Sequence, residues 1–255
     1  MSTLQHDLTG KIAIVTGASS GFGERFTRTL AAHGATVVAA ARRIDRLDAL
    51  AAEVAGVCAV QCDVGNDDDL IGLVDRAREL GSVDIVVNNA GISDAPEKAE
   101  SQSPTSFRQV IDINLNACFV LASKSAAAMI EAGSGGSIIN IASVHGFVGS
   151  APNTQAAYIA SKGGLVNLTR ELALQWARYD INVNAIAPGY FATELTEGLL
   201  GEGNDSGQTW VSRNTPMRRT GELHELDGPL LLLASDAGSY ITGHTLAVDG
   251  GWLAR

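Results

Sequence analysis

Seven short apolar runs recur along the chain, and stretches with helical periodicity separate them. Several of the runs are apolar almost throughout, which is typical of strands covered on both faces. Regular alternation of strand and helix predicts an α/β fold, a doubly wound parallel sheet with helices on both sides. The predicted strands are Lys11–Thr16, Ala35–Ala41, Val57–Cys62, Val83–Asn88, Ser137–Ala142, Ile181–Ala187 and His244–Val248.

The size and composition of the chain fit one such domain. It has 255 residues, of which 45% are hydrophobic and 18% charged, so the disordered and fibrous classes are excluded. No repeat, low-complexity tract or linker divides it, and residues 1–255 are expected to form a single domain. Residues 191–219 break the alternation; they are polar and are expected to form an irregular, mobile lid over a substrate.

The net charge and the cysteine spacing limit which partners and metal sites this chain is expected to have. A net charge of −10 without a basic stripe argues against binding of nucleic acid or an anionic membrane. The N-terminus lacks the pattern of a signal peptide and no run of 18 apolar residues is present, so we expect a soluble cytoplasmic protein. Cys58, Cys62 and Cys118 have no metal-ligand spacing and are expected to be buried thiols, with no metal site.

A glycine-rich turn follows the first predicted strand and precedes a helix. Its sequence from residue 16 is T-G-A-S-S-G-F-G. Glycines permit a tight turn and close approach to a pyrophosphate, and a helix N-terminus offers free N–H groups and a positive dipole. An ordinary turn is the alternative interpretation. The predicted phosphate-binding residues are Gly17, Ser19, Ser20, Gly21, Phe22 and Gly23.

The end of the second strand bears on the choice of nucleotide. Ala41 stands where a carboxylate would bind a free ribose 2′-hydroxyl, and Arg42 follows it. A guanidinium can bind a 2′-phosphate with two hydrogen bonds, so NADP(H) is preferred and NAD(H) is the alternative. Arg42 and Arg43 would otherwise be a solvated start to the next helix. Ser20 weakens the preference, because a basic residue in that loop would favour the phosphate further.

A tyrosine and a lysine lie four residues apart on one predicted helix. Tyr158 and Lys162 share a helical face, and Ser143 ends the fifth strand fifteen residues upstream. A cation near a phenol lowers its pKa, and a fall of ~3 units from ~10 needs about 4 kcal/mol. Asn114 lies on the apolar stripe of the long helix predicted within residues 105–130. The phenol and ammonium on one helical face predict a site for proton transfer, with Ser143 and Asn114 as further polar candidates.

These motifs resemble the short-chain dehydrogenase/reductase superfamily, including its 3-oxoacyl-reductase-like and gluconate-5-dehydrogenase-like members. The resemblance runs from residue 10 to 251 and implies a Rossmann-type domain and often a homotetramer. It implies that Tyr158 donates the proton, Lys162 lowers its pKa and binds the nicotinamide ribose, Ser143 binds the substrate oxygen and Asn114 holds a relay water. It also implies cofactor contacts from Asp63, Val64, Asn89, Gly91, Pro188, Gly189, Phe191 and Thr193.

The substrate is less constrained. His145, Tyr190 and Trp210 are the candidate substrate contacts, and each has an alternative role in packing. The main interpretation is an NADP(H)-dependent oxidoreductase of a small ketone or secondary alcohol. A 3-oxoacyl-carrier-protein reductase is less favoured, because the end of the long helix has no Lys or Arg for an acidic carrier. A catalytically silent, cofactor-binding regulatory protein is the alternative from another class.

Overall fold

The computed structural model describes residues 6–150 and 154–254 as one seven-stranded sheet with helices on both faces. All strand pairs are parallel, and the order across the sheet is β3-β2-β1-β4-β5-β6-β7. The strands are β1 (Ile12–Thr16), β2 (Thr36–Ala41), β3 (Val57–Gln61), β4 (Val83–Asn88), β5 (Gly136–Ile141), β6 (Ile181–Pro188) and β7 (Thr245–Val248).

The predicted fold class is confirmed, and each predicted strand end lies within one residue of the observed one. The helices are α1 (Gly21–Ala32), α2 (Ile44–Glu53), α3 (Asp67–Arg78), α4 (Pro104–Ile111), α5 (Ala117–Ala132), α6 (Ala156–Trp176), α7 (Glu197–Leu200), α8 (Asp205–Asn214) and α9 (Asp227–Ala234). The direction of the crossovers reverses between β1 and β4, so a crevice opens beyond their carboxyl ends.

Two apolar layers hold the helices against the sheet. Alternate residues of β1 point to opposite faces: Val15 packs in the layer that contains Phe26 of α1, and Ile14 in the layer that contains Leu121 of α5. Both strand residues are fully buried. Because each side of the sheet is covered, the strands read as continuous apolar runs rather than alternating ones.

A π-helical turn, Asp112–Asn116, joins α4 to α5 and places fully buried Asn114 at its centre. The composite helix Pro104–Ala132 is long and apolar enough to cross a membrane, by length and composition alone. This test is weak evidence for a membrane span, because a helix in the core of a globular fold passes it as well. Half of its most apolar window is buried inside the fold, against α3, β4 and α6.

Two other expectations need correction. Residues 191–219 are not irregular, because they contain α7 and the ten-residue α8, where the Asn204 side chain accepts the Gly207 N–H and Val211 is buried. All three cysteines are free thiols, and Cys62 and Cys118 are buried. Cys58 is only partly buried and accepts a hydrogen bond from Arg76.

Candidate active site

The glycine-rich turn lies between the carboxyl ends of β1, β2 and β4. Gly17 and Gly21 have φ values of +67° and +54°, in the left-handed region that favours glycine. Gly23 is needed for a different reason, since a Cβ there would overlap the Gly17 carbonyl oxygen. The turn is tied to β2 by the Ala18 N–H, which donates to the Ala40 carbonyl at 3.1 Å.

The N-terminus of α1 is left available to an anion. Ser20 occupies the N-cap position, but its side chain makes no capping hydrogen bond. The Ser20 hydroxyl instead accepts a hydrogen bond from Arg43 at 2.8 Å, and Arg43 also reaches the buried Ser19 hydroxyl at 3.0 Å. Within residues 6–150 and 154–254, no side chain accepts a hydrogen bond from the first N–H groups of α1, which suits a phosphate.

The two arginines at the end of β2 have different surroundings. Arg42 is exposed, and its side chain makes no hydrogen bond or ion pair with another described residue. Arg43 is fixed against the glycine-rich turn and also pairs with Glu194. Sequence reasoning considered Arg43 only as a solvated helix start and missed this contact. The signal that could have suggested this contact is the position of Arg43 just after β2, because β2 ends beside the glycine-rich turn that follows β1.

Asn89 and Gly91 support the turn and the catalytic side chains. The Asn89 amide donates to the Thr16 carbonyl at 2.8 Å and so holds the exit of β1. At Gly91, a Cβ would lie 3.2 Å from Asn114 Oδ1 and 3.8 Å from Lys162 Nζ. Because residue 91 is glycine, the space next to Asn114 Oδ1 and Lys162 Nζ stays free of a side chain.

Ser143, Tyr158 and Lys162 meet at the carboxyl end of β5. Ser143 is buried, and its hydroxyl lies close enough to Tyr158 to lower the pKa of that phenol. Lys162 is also buried; its Nζ donates to the Ile141 carbonyl at 2.7 Å and lies 5.7 Å from the centre of the Tyr158 ring. The structure thus brings together the three side chains that the sequence predicted would meet.

Burial dominates the electrostatics of this cluster. It raises the pKa of Tyr158 above the usual value for a phenol, against the opposing effect of the Ser143 hydrogen bond. Burial also lowers the pKa of Lys162, because an ammonium loses hydration in the interior. In this structure the ammonium is directed to the Ile141 carbonyl rather than to the phenol oxygen.

Asn114 links α6 to the loop that follows β4. Its Oδ1 accepts the Ile92 N–H at 2.8 Å, and its Nδ2 donates to the Ile92 carbonyl at 2.8 Å and to Ser161 Oγ at 3.1 Å. The side-chain amide is thus bonded within the protein. Its observed contacts position α6, and its predicted hold on a relay water stays a prediction.

Asp94 is a site residue that the sequence analysis missed. Its buried carboxylate accepts the N–H groups of Ala157 and Tyr158, each at 3.2 Å, and a 2.6 Å hydrogen bond from Gln102. It therefore caps the first turn of α6, which has no capping bond from its own N-cap side chain. The same negative charge contributes to the raised pKa of Tyr158.

An aromatic wall lies beside Tyr158. His145 Nε2 and the Tyr190 hydroxyl are 3.1 Å apart, and the Tyr190 ring contacts Trp210 and Trp252 at centroid distances of 5.8 and 4.9 Å. Burial raises the pKa of Tyr190 to about 12 and lowers that of His145. The structure brings the three predicted substrate contacts together and adds Trp252, which sequence reasoning missed.

The remaining predicted cofactor residues lie at the same edge of the sheet. Two of them, Phe191 and Gly189, have structural roles in the observed packing. Phe191 is buried and packs edge-on against Phe22 at 5.3 Å, so the two rings fasten the segment after β6 to α1. Gly189 is required because a Cβ there would lie 2.8 Å from the Asp249 backbone. The others follow strand ends: Asp63 and Val64 follow β3, Pro188 ends β6, and Thr193 lies against Gly21.

Comparison with known proteins agrees with this geometry. The family model described as enoyl-(acyl carrier protein) reductase matches residues 17–253. A 2-dehydro-3-deoxy-D-gluconate 5-dehydrogenase of Escherichia coli K12 is 39% identical over 254 residues, 97% of each chain. A galactitol 2-dehydrogenase (L-tagatose-forming) of Cereibacter sphaeroides is 38% identical over 247 residues, 96% of each chain.

A solved structure extends the comparison to three dimensions. The gluconate 5-dehydrogenase of Burkholderia cenocepacia J2315, determined with NADP and tartrate, superposes with a TM-score of 0.91. It is 34% identical, and the match covers 98% of each chain.

Fold, site and relatives define an NAD(P)-linked oxidoreductase. The chain belongs to the short-chain dehydrogenase/reductase family, as its motifs predicted. It is a dehydrogenase that acts on CH–OH groups.

Proposed function

We propose that this enzyme transfers hydride between NADP(H) and a small polyhydroxylated ketone or secondary alcohol, such as a sugar acid or a polyol. The observation that carries the proposal is that Ser143 and the buried ammonium of Lys162 both lie near the Tyr158 phenol, with Lys162 Nζ 5.7 Å from its ring centre. The named activities of the relatives, on 2-dehydro-3-deoxy-D-gluconate and galactitol, support the substrate class. The α1 N-terminus, whose N-cap side chain makes no capping bond, supports a dinucleotide, and the two arginines after β2 support its 2′-phosphorylated form.

The residues divide the chemistry between them. Nicotinamide, when bound, supplies hydride to the carbonyl carbon in reduction or accepts it in oxidation. Ser143 binds the substrate oxygen, and Tyr158 gives that oxygen a proton during reduction and removes it during oxidation. The ammonium of Lys162 and the charge of the oxidised ring stabilise the phenolate, which offsets the burial that raises the pKa of Tyr158 in this structure.

The aromatic wall supports a substrate with an apolar C–H face. Tyr190, Trp210 and Trp252 pack against one another, and His145 adds a polar group through its contact with Tyr190. Carbohydrates and polyols combine hydroxyl groups with such C–H faces, and a pocket of this kind uses a few polar groups to fix orientation. We propose that residues 191–219, which carry Trp210, form the substrate lid.

The proposal includes assembly into a homo-oligomer. The two long helices expose apolar side chains: Leu174 of α6 is 80% exposed, and Phe119 of α5 is 47% exposed. Packing between subunits would cover them. Light scattering of the purified protein, with Leu174→Lys as a variant, tests this; a wild-type monomer would contradict it.

The function is tested by NADPH oxidation over a panel of 5-keto sugar acids, ketoses and a 3-oxoacyl carrier thioester. We expect turnover of the sugar acids or ketoses, with Tyr158→Phe as the matched inactive control. Preference for the thioester would favour the carrier-protein reductase. Cofactor binding with no turnover of any carbonyl would favour the silent regulatory protein.

A further inference from the structure

The lid segment is joined to the nucleotide end of the crevice by one carboxylate. Glu194 Oε2 lies 2.9 Å from an Arg43 guanidinium nitrogen, and Glu194 Oε1 lies 2.6 Å from Arg46. These residues come from separate parts of the chain, 151 and 148 positions apart. No sequence motif pointed to this contact, and the dehydrogenase mechanism does not use Glu194.

Arg43, which Glu194 contacts, lies at the nucleotide end of the crevice. The same guanidinium nitrogen that meets Glu194 also donates to the Ser20 hydroxyl at 2.8 Å and to the Ser19 hydroxyl at 3.0 Å. Arg43 therefore stands over the glycine-rich turn, at the end of β2. This is the place where a nucleotide-binding fold of this type holds the adenosine ribose.

The ion pairs are open to exchange. The side chains of Arg43, Arg46 and Glu194 are 41%, 47% and 48% exposed. Exposed pairs of this kind are weak, whereas a phosphate carries more charge than a carboxylate and binds a guanidinium bidentately. A 2′-phosphate that approaches Arg43 thus meets a guanidinium already engaged by a carboxylate that it can displace.

We propose that Glu194 determines cofactor specificity by competing with the 2′-phosphate for Arg43. The carboxylate lowers the affinity for the phosphorylated nucleotide and leaves that for the unphosphorylated one almost unchanged. The affinity for NADP(H) therefore exceeds that for NAD(H) by less than it would if Arg42 and Arg43 were present without Glu194. This inference rests on the nucleotide site of the proposed function and concerns recognition, not proton or hydride transfer.

Calorimetric titration with 2′,5′-ADP and 5′-AMP tests the proposal without any turnover. The two probes differ only in the 2′-phosphate. We expect Glu194→Gln to bind 2′,5′-ADP about 3- to 10-fold more tightly than wild type, and 5′-AMP within about twofold. Glu197→Gln removes the same charge from an exposed residue of the same segment, which makes no ion pair with a described residue, and it should change neither affinity.

Three results would overturn the proposal. The first is unchanged or weaker binding of 2′,5′-ADP in Glu194→Gln, which would make Glu194 a support for Arg43. The second is an equal gain for both probes, which would mark a general effect of charge. The third is no binding of either probe to the folded wild type and variant. An enzyme that turns over no carbonyl yet shows the expected pattern would refute the proposed function and leave this inference intact.

Discussion

The catalytic edge and the nucleotide edge of the same crevice are built in opposite ways. Ser143, Lys162 and Asn114 are buried, and neighbouring groups of the fold bond to all three. Arg43 and Glu194 are close to half exposed and bond mainly to other side chains. We infer from this comparison that the proposed proton transfer uses groups held in place before the substrate arrives, while the proposed choice of nucleotide uses contacts that exchange.

Removal of the buried ammonium should have the largest effect. Lys162→Met is expected to lower turnover by about 100-fold or more, since it removes the charge beside Tyr158, and to weaken cofactor binding. Steady-state kinetics and cofactor titration measure both. Lys124→Met, at an exposed lysine on α5, is the matched control. An active Lys162→Met enzyme with an unchanged pH profile would contradict the role of this residue.

At the nucleotide edge, Arg43→Ala should reduce NADPH affinity by roughly 10-fold or more, the value of a charged hydrogen bond, and leave NADH affinity nearly unchanged. Arg42→Ala sharpens the comparison, because Arg42 is exposed while Arg43 is fixed to Ser19 and Ser20. We expect a smaller loss from Arg42→Ala. Equal effects on NADPH and NADH in Arg43→Ala would remove Arg43 from phosphate recognition.

Asp94→Asn should move the titration of Tyr158. The Asp94 carboxylate contributes to the raised pKa of Tyr158, so removing its charge should lower that pKa. The amide keeps one acceptor oxygen, so one of the two N–H groups that Asp94 caps loses its partner, which should also cost about 1 kcal/mol of unfolding free energy. The phenolate absorbance of the cofactor-free protein, corrected with Tyr158→Phe, reports the pKa.

Glu97→Gln is the control for Asp94, because Glu97 is an exposed carboxylate only three residues away. It should leave the Tyr158 titration in place. A Tyr158 pKa that rises or stays constant in Asp94→Asn would show that the Asp94 charge does not act on the phenol.

The smallest expected effect is the pH dependence of the Glu194 pairs. Arg46, and then Arg43, lower the pKa of Glu194 from 4.5 to about 2. Because the folded-state pKa is depressed, the stabilisation is present above pH ~4.5 and is lost as the pH falls towards 2. Glu194 is exposed, so we expect at most about 1 kcal/mol. Urea unfolding of wild type and Glu194→Gln should differ at pH 7 and converge near pH 2; a difference that persists there would contradict the assignment.

The sequence predicted the parts of the molecule that short-range patterns control. Strand ends follow from runs of apolar residues, and the glycine-rich turn and the Tyr158–Lys162 spacing are local motifs. Asp94 and Glu194 escaped prediction, because Asp94 caps a helix 63 positions away and Glu194 reaches Arg43 across 151 positions. Such contacts depend on the paths of the loops. The helix α8 was missed because its sequence is polar except for a few buried side chains.

The central claim is that Tyr158 is the proton donor of a dehydrogenase. It is tested most directly by Tyr158→Phe, which keeps the ring and removes only the hydroxyl near Ser143. Turnover of the best carbonyl substrate and NADPH affinity should be measured on the same folded preparation. We predict a loss of turnover of at least ~100-fold with NADPH affinity nearly unchanged. Turnover close to that of the wild type would contradict the account.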